Sequence, residues 1–241
     1  MLRRFYNRCD ALVTASDSQI AELIEQGMHD DITIWSRGVD RDLFTPARRD
    51  LEWRRGMGIA DDEVAISFLG RLVMEKGLDM FADTIVALRR MQVPHRVLIL
   101  GDGPARSWFE KSLPGGVFAG FLTGEDLACA LASSDVFFNP SVTETFGNVT
   151  LEAMACGLPV VAAGATGSAS LVEDGVTGAL VSPPDAQSFA EALAPYCTDD
   201  PMRIAHGKAG EAKACEYSWD AINDTVAQNY LRLHHARQQA D

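Results

Sequence analysis

The chain lacks the features that announce several broad protein classes. Its five cysteines, Cys9, Cys129, Cys156, Cys197 and Cys215, are odd in number and irregularly spaced. Neither a disulfide framework nor a zinc motif is indicated, and reduced thiols of a cytoplasmic protein are expected. Lysine and arginine total 21 against 34 acidic residues, a formal net charge of −13, which argues against a nucleic-acid partner because phosphates demand a basic footprint. No stretch approaches the roughly 18 uninterrupted apolar residues of a membrane-crossing helix. The basic opening MLRRFYNRCD is broken by charge and by Asn7 before a signal-peptide core can form. The histidines (29, 95, 206, 234 and 235) form no ligand cluster.

What is present is enough for a core: 241 residues, 47% hydrophobic, suit one large or two small domains. Apolar runs of strand length alternate with helical periodicity, the pattern of a doubly wound α/β fold with a parallel sheet. Strands are expected at Ala11–Ala15, Ile32–Trp35, Val64–Leu69, Val97–Leu100, Val117–Ala119, Val136–Asn139, Pro159–Ala163 and Ala179–Val181. Leu78, Phe81, Ile85 and Leu88 share one helical face. Thr123 and Asp126 read as a capping box ahead of Leu127–Ala132. A long final helix, Trp219–Arg237 with Ser218 as N-cap, carries Ile222, Val226, Tyr230 and Leu233 at helical spacing and is expected to lie outside the core. The arginines 41, 48, 49, 54 and 55 crowd a Pro-containing connection and read as a solvated face.

Three segments carry chemistry. The strand Val64–Leu69 runs into Gly70-Arg71-Leu72-Val73-Met74-Glu75-Lys76-Gly77, a loop at the carboxyl end of a parallel strand, where open α/β sheets bind ligands. Arg71 offers a planar fork and Lys76 a point charge, a pair able to neutralise a diphosphate. Gly101-Asp102-Gly103-Pro104 invites the dinucleotide fingerprint, but Arg106 stands where a third small residue belongs, so a nicotinamide cofactor is not expected. Its glycines suit either a plain turn or close backbone approach to a nucleotide. The run from Glu144 to Glu152 sets two carboxylates around a Gly147-Asn148 turn that opens a short apolar helix. Unpaired N–H groups and the helix dipole make an anion site there. On one continuous helix the two acids would point about 80° apart; split between loop and helix they can hold opposite ends of one ligand. Glu152 within an apolar helix needs a partner, from a ligand or from the protein, because an unpaired buried carboxylate is costly. Carboxylates for hydroxyls beside a site for phosphate suit a nucleoside diphosphate sugar.

The order of Arg-Gly-Val-Asp-x-x-x-Phe-x-Pro (37–46), Gly-Arg-Leu-x-x-Glu-Lys-Gly (70–77), Gly-Asp-Gly-Pro (101–104), Ser-Asp-Val-Phe-Phe-Asn-Pro-Ser (134–141), Glu-x7-Glu (144–152) and Ala-Cys-Gly-Leu-Pro-Val-Val-Ala (155–162) resembles the family four retaining glycosyltransferases of the GT-B fold. The resemblance runs from about residue 10 to 182 and implies the C-terminal, Rossmann-like donor half of such an enzyme. It implies that Arg71 and Lys76 contact the donor diphosphate, that Glu144 lies by the donor sugar, and that Glu152 holds the ribose hydroxyls. With Arg71, Lys76 and Glu144 as the catalytic set, Gly70, Gly101, Gly103, Phe121, Phe146, Gly147, Asn148, Val149 and Glu152 would bind the donor, Phe121 near the base. A UDP- or GDP-hexose donor, mannose or glucose, is implied, with no metal or other cofactor and an acceptor that could be a glycan, a lipid or a small molecule.

One departure is the run Gly164–Ser170, where relatives commonly carry a Pro-Glu pair. By the same resemblance residues 1–35 would be the tail of an N-terminal acceptor domain otherwise missing from the chain, 36–214 the donor domain and 215–241 a helix crossing back. Such a piece would bind donor without efficient transfer, and any peripheral membrane association would reside in the missing domain. Two other readings remain open: a non-catalytic nucleotide-sugar module completed by a partner, and a nucleotide-sugar epimerase.

Overall fold

The computed structural model describes residues 2–240; Met1 and Asp241, the outer bounds of the first and last expected segments, lie outside the described residues. The chain opens with α1 (Leu2–Tyr6), β1 (Leu12–Thr14), α2 (Asp17–Glu25) and β2 (Ile32–Ile34), the two strands pairing in parallel. A 3-10 turn at Pro46–Arg48 and α3 (Leu51–Gly56) lead into the main unit: β3 (Ala65–Leu69), a 3-10 turn at Met74–Lys76, α4 (Leu78–Arg90), β4 (Arg96–Leu100), α5 (Arg106–Ser112) and β5 (Val117–Gly120). There follow α6 (Gly124–Ala132), β6 (Val136–Asn139), α7 (Asn148–Ala155), β7 (Val160–Ala163), α8 (Thr166–Leu171), β8 (Gly178–Val181), α9 (Ala186–Thr198), α10 (Asp200–Ala214) and α11 (Trp219–Ala240). Every expected strand forms, each within one residue of its expected bounds.

The main sheet is six-stranded and parallel, ordered β5-β4-β3-β6-β7-β8. Its strands are largely apolar because helices cover both faces, with Ser67, Arg96 and Asn139 the polar exceptions. Side chains alternate accordingly: Ile66, Phe68, Val97, Ile99, Val136 and Phe138 enter the core beneath α4 and α9, while Ala65, Leu98, Leu100, Phe137 and Val160 enter the one beneath α6 and α7. The first core is rich in aromatic contacts. Phe81 meets Phe68, Phe109 and Phe138 at centroid separations of 5.7, 5.6 and 4.9 Å, each pair worth about 0.5–1.5 kcal/mol beyond its buried area.

Two local expectations are corrected. The arginine run is not a solvated face throughout. Arg54 is fully buried; its guanidinium donates to Asp135 Oδ2 at 2.7 Å, to the Ser133 carbonyl at 2.9 Å and to the Glu63 carbonyl. Arg49 pairs with the other oxygen of Asp135 at 2.7 Å, and Asp135 Oδ2 also accepts from Ala65 N–H at 2.7 Å. The cluster thus ties the connection before β3 to the start of β6, and a buried arginine is tolerated because its donors are satisfied. The capping box at Thr123 does not form: Thr123 makes no side-chain cap bond. Gly124 at φ 56° starts the helix in the left-handed region, which breaks the regular first turn a box requires.

Ser218 does cap α11, its hydroxyl accepting from Ala221 N–H at 3.2 Å. The helix then runs back over β2, with Asn229 bonded to Thr33 at 2.9 Å and Arg232 paired with Asp31 at 2.7 Å. Of its expected apolar stripe only Ile222 is buried, and Tyr230 is 69% exposed.

Truncating one partner of a buried pair strands the other. Arg54→Met is therefore expected to destabilise the fold by about 3–5 kcal/mol, whereas Arg49→Ala, which leaves Asp135 its buried partner, costs no more than about 1 kcal/mol. Urea denaturation of both variants measures the two values, and equal losses would contradict the assignment of Arg54 as the principal partner.

Candidate functional site

β3 is the point where the strand order reverses: β4 and β5 build outward on one side, β6, β7 and β8 on the other. The loops leaving the carboxyl ends of β3 and β6 therefore diverge and open a crevice, the place where doubly wound sheets take ligands. The β3 loop is held by backbone bonds to the β4 loop. Gly70 N–H donates to Leu100 O at 3.0 Å, Leu72 N–H to Asp102 O at 2.9 Å and Ala105 N–H to Leu72 O at 3.0 Å. Leu72 is fully buried, which leaves Arg71 turned outward and exposed. A Cβ on Gly101 would lie 1.9 Å from Gly70 O, and one on Gly103 2.5 Å from Leu72 O. The close approach that demands glycine here is thus to the neighbouring loop.

Across the crevice Gly147, at φ 96°, is the N-cap of α7, a left-handed conformation that favours glycine. The first-turn amides that follow face the opening with the positive end of the dipole. Lys76 Nζ reaches across to Glu144 Oε1 at 2.7 Å, and Thr143 Oγ1 donates to Glu75 O at 3.2 Å, so the two loops are joined. The departure at Gly164–Ser170 forms α8, and Gly167 N–H donates to Glu144 O at 2.8 Å. That turn therefore braces the Glu144 loop from behind.

The crevice has two lobes that share Leu69, Gly70, Arg71 and Val149. The first, about 530 Å³, is lined by Lys76, Glu144, Phe146, Gly147 and Asn148, and by Ala15 and Arg37 from the N-terminal segment. The second, about 480 Å³ and mostly apolar, is lined by Gly101, Asp102, Phe121, Leu122, Leu127 and Glu152. Of the residues expected at a donor site only Gly103 lines neither lobe; it packs under Leu72. Phe121 is 75% exposed at the mouth of the second lobe. Arg37 and Ala15 were missed in the sequence. The available signal was Arg37 itself, two residues after the expected strand Ile32–Trp35 and opening the Arg-Gly-Val-Asp run, which assigns it no role until the fold is known.

Glu152 is the electrostatic anomaly. It sits one turn into α7, makes no hydrogen bond or ion pair among the described residues, and burial pushes its carboxyl up to about 7. Arg71 likewise has no hydrogen-bonded or charged partner among the described residues. An acid and a cation, each without a protein partner, thus line one cavity. Burial also pushes the thiols of Cys156 and Cys197 up to about 12, so they stay protonated, and all five cysteines are free. Among the described residues no group of His, Cys, Asp or Glu is placed to hold a metal ion, and no helix is long and apolar enough to cross a membrane.

The family model described as Glycosyl transferases group 1 matches residues 63–199. A GDP-mannose-dependent alpha-mannosyltransferase of Corynebacterium glutamicum is 31% identical over 229 residues, covering 95% of this chain and 54% of that protein. A sulfoquinovosyl transferase of Arabidopsis thaliana is 34% identical, covering 92% of this chain and 45% of that protein. The chain thus spans about half the length of these curated relatives. Among solved structures, Anabaena HepE in complex with UDP and glucose superposes with a TM-score of 0.80 at 25% identity, covering 94% of this chain and 64% of that one.

Because the carboxyl of Glu152 is raised in the folded state from an ordinary 4.5 to about 7, folding favours its protonated form. The stability this brings is present at low pH and is lost as pH rises through 7. Glu152→Gln removes the dependence. Relative to wild type, the variant is expected to gain on the order of 2 kcal/mol between pH 5 and pH 8, read from thermal or urea unfolding at both pH values. A difference that does not change with pH would contradict a buried, unpartnered carboxyl.

Proposed function

The chain belongs to the Glycosyl transferases group 1 family, and from that premise we propose that it is the donor-binding half of a retaining hexosyltransferase using a UDP- or GDP-hexose. The observation that carries the proposal is the cleft at the strand-order reversal, where Arg71, Lys76 and the α7 amino end gather on one side of Val149 and Glu152 on the other. In this reading the diphosphate lies across Gly70 and Arg71 toward Lys76, Gly147 and Asn148. The ribose hydroxyls donate to Glu152, and the base occupies the apolar second lobe beside Gly101 and Phe121. The hexose lies in the first lobe near Glu144 and Phe146. Residues 36–214 would form the donor domain, residues 1–35 the tail of an acceptor domain, and residues 215–241 a helix crossing back to it.

The difficult event in such a transfer is departure of the diphosphate. Fixed cations and amide dipoles aimed at its growing charge act without reorganising, which is the most effective electrostatic contribution a site can make. Arg71 and Lys76 supply the charge, while the Glu144 carboxylate that holds Lys76 at rest keeps the ammonium in place for it. The leaving phosphate itself would take the acceptor's proton, so no separate base is assigned. Charge neutralisation by side chains needs no metal, and a chelator is expected to leave nucleotide binding unchanged. Relatives named as transferases favour this chemistry over epimerisation.

Calorimetric titration with UDP, GDP and their hexose derivatives tests the proposal. One nucleotide is expected to bind at a single site. Arg71→Ala is expected to weaken it about 10- to 100-fold, as loss of a charge-assisted contact worth roughly 1.5–3 kcal/mol implies. Glu152→Gln should weaken the nucleotide more than it weakens inorganic pyrophosphate, which has no ribose. No binding, or binding indifferent to Arg71, would overturn the reading.

A further inference from the structure

The first lobe holds a cation to which the donor reading gives no role. Arg37, on the connection leaving β2, lines the cavity beside Ala15, on the wall formed by the N-terminal segment. Its guanidinium lies over the Trp35 ring, 5.7 Å from the centroid, and among the described residues makes no hydrogen bond or ion pair. A ring contact fixes the direction of a guanidinium without neutralising it. Arg48, Arg49, Arg54 and Arg55, on the connection that runs from here to β3, each have an acidic partner. Arg37 instead keeps its charge facing a cavity.

Its position within that cavity indicates what the charge is for. The diphosphate is already matched by Arg71, Lys76 and the α7 amides. Arg37 and Ala15 line the first lobe and not the second, so they wall the end of the cleft away from the ribose-side residue Glu152. That is the end from which a second substrate would meet the transferred sugar. A planar five-donor fork is built to take phosphate, sulfonate or carboxylate by paired hydrogen bonds.

Resting on the donor-site reading above, we infer that Arg37 recognises an anionic group on the acceptor, next to the hydroxyl that receives the sugar. A neutral polyol or glycan would leave this exposed guanidinium without a counter-charge in the first lobe, whereas an anionic acceptor supplies one. Arg37 would thereby select among acceptors by charge, independently of which nucleotide the second lobe takes.

Inorganic phosphate serves as the probe. The chain is saturated with whichever of UDP or GDP binds, then titrated with phosphate while the Nε–H resonance of Arg37, assigned through Arg37→Lys, is followed by NMR. Phosphate is expected to bind without displacing the nucleotide and to move that resonance. In Arg37→Gln its affinity should fall at least tenfold while nucleotide affinity changes less than twofold. Competition between phosphate and nucleotide, absence of a phosphate response at Arg37, or a tenfold nucleotide loss in Arg37→Gln would each overturn the inference, the last two by leaving Arg37 idle or moving it to the diphosphate. Replacing the nucleotide by its hexose-bearing form separates acceptor from sugar: the response persists if the anion is the acceptor's, and its loss would place the anion subsite under the sugar, against the inference. Failure of every nucleotide to bind would sink the donor reading itself, a result distinct from a normal nucleotide isotherm with a silent Arg37.

Discussion

Two loops of bare backbone lie one on the other at the carboxyl ends of β3 and β4, and the site follows from that contact. With no Cβ at Gly101 or Gly103, the β4 loop comes close enough for Leu72 to exchange hydrogen bonds with Asp102 and Ala105. Leu72 then fills the core, and its neighbour Arg71 must point the other way. Any side chain on Gly101 would collide with Gly70 O, lifting the loop and moving Arg71 with it. The guanidinium is thus positioned by a packing requirement two strands wide rather than by a partner of its own.

The same economy governs the charges. Several buried or half-buried ions are paired: Arg54 and Arg49 share Asp135, and Arg106 bridges Asp102 and Glu110. Around the cleft, pairing is withheld. Among the described residues, the largely buried Glu152 has nothing to bond, Arg71 and Arg37 have no counter-ion, and the α7 amides face the cleft. Glu152 is worse off than it would be in water, and each of these groups has bonding capacity that a ligand carrying hydroxyls, phosphates or a further anion would fill. Lys76 is the exception, parked against Glu144, which keeps a long flexible side chain where it is needed.

Much of this was legible in the chain. Buried parallel strands write themselves as short apolar runs, and the acid in the apolar helix Val149–Ala155 was conspicuous because it needs a partner, from a ligand or from the protein; among the described residues it has none. The failures have a common physical origin in distance along the chain. Arg54 reads as a surface charge because its partner, Asp135, lies 81 residues away. The glycines at 101 and 103 signal close approach, but the sequence does not say whether to a ligand or to Leu72. Arg37 is only the opening of a motif in the sequence, and the structure places it with Ala15 in the cavity that Arg71 also lines; Thr123 promises a cap that the left-handed Gly124 beside it undoes.

A crystal structure of the chain with bound UDP or GDP tests the central claim most directly. The account predicts diphosphate oxygens about 3 Å from Arg71 and Lys76, ribose hydroxyls donating to Glu152, and the base in the apolar lobe beside Phe121. A nucleotide bound in the reverse direction, or at any surface away from the crevice between β3 and β6, would contradict it.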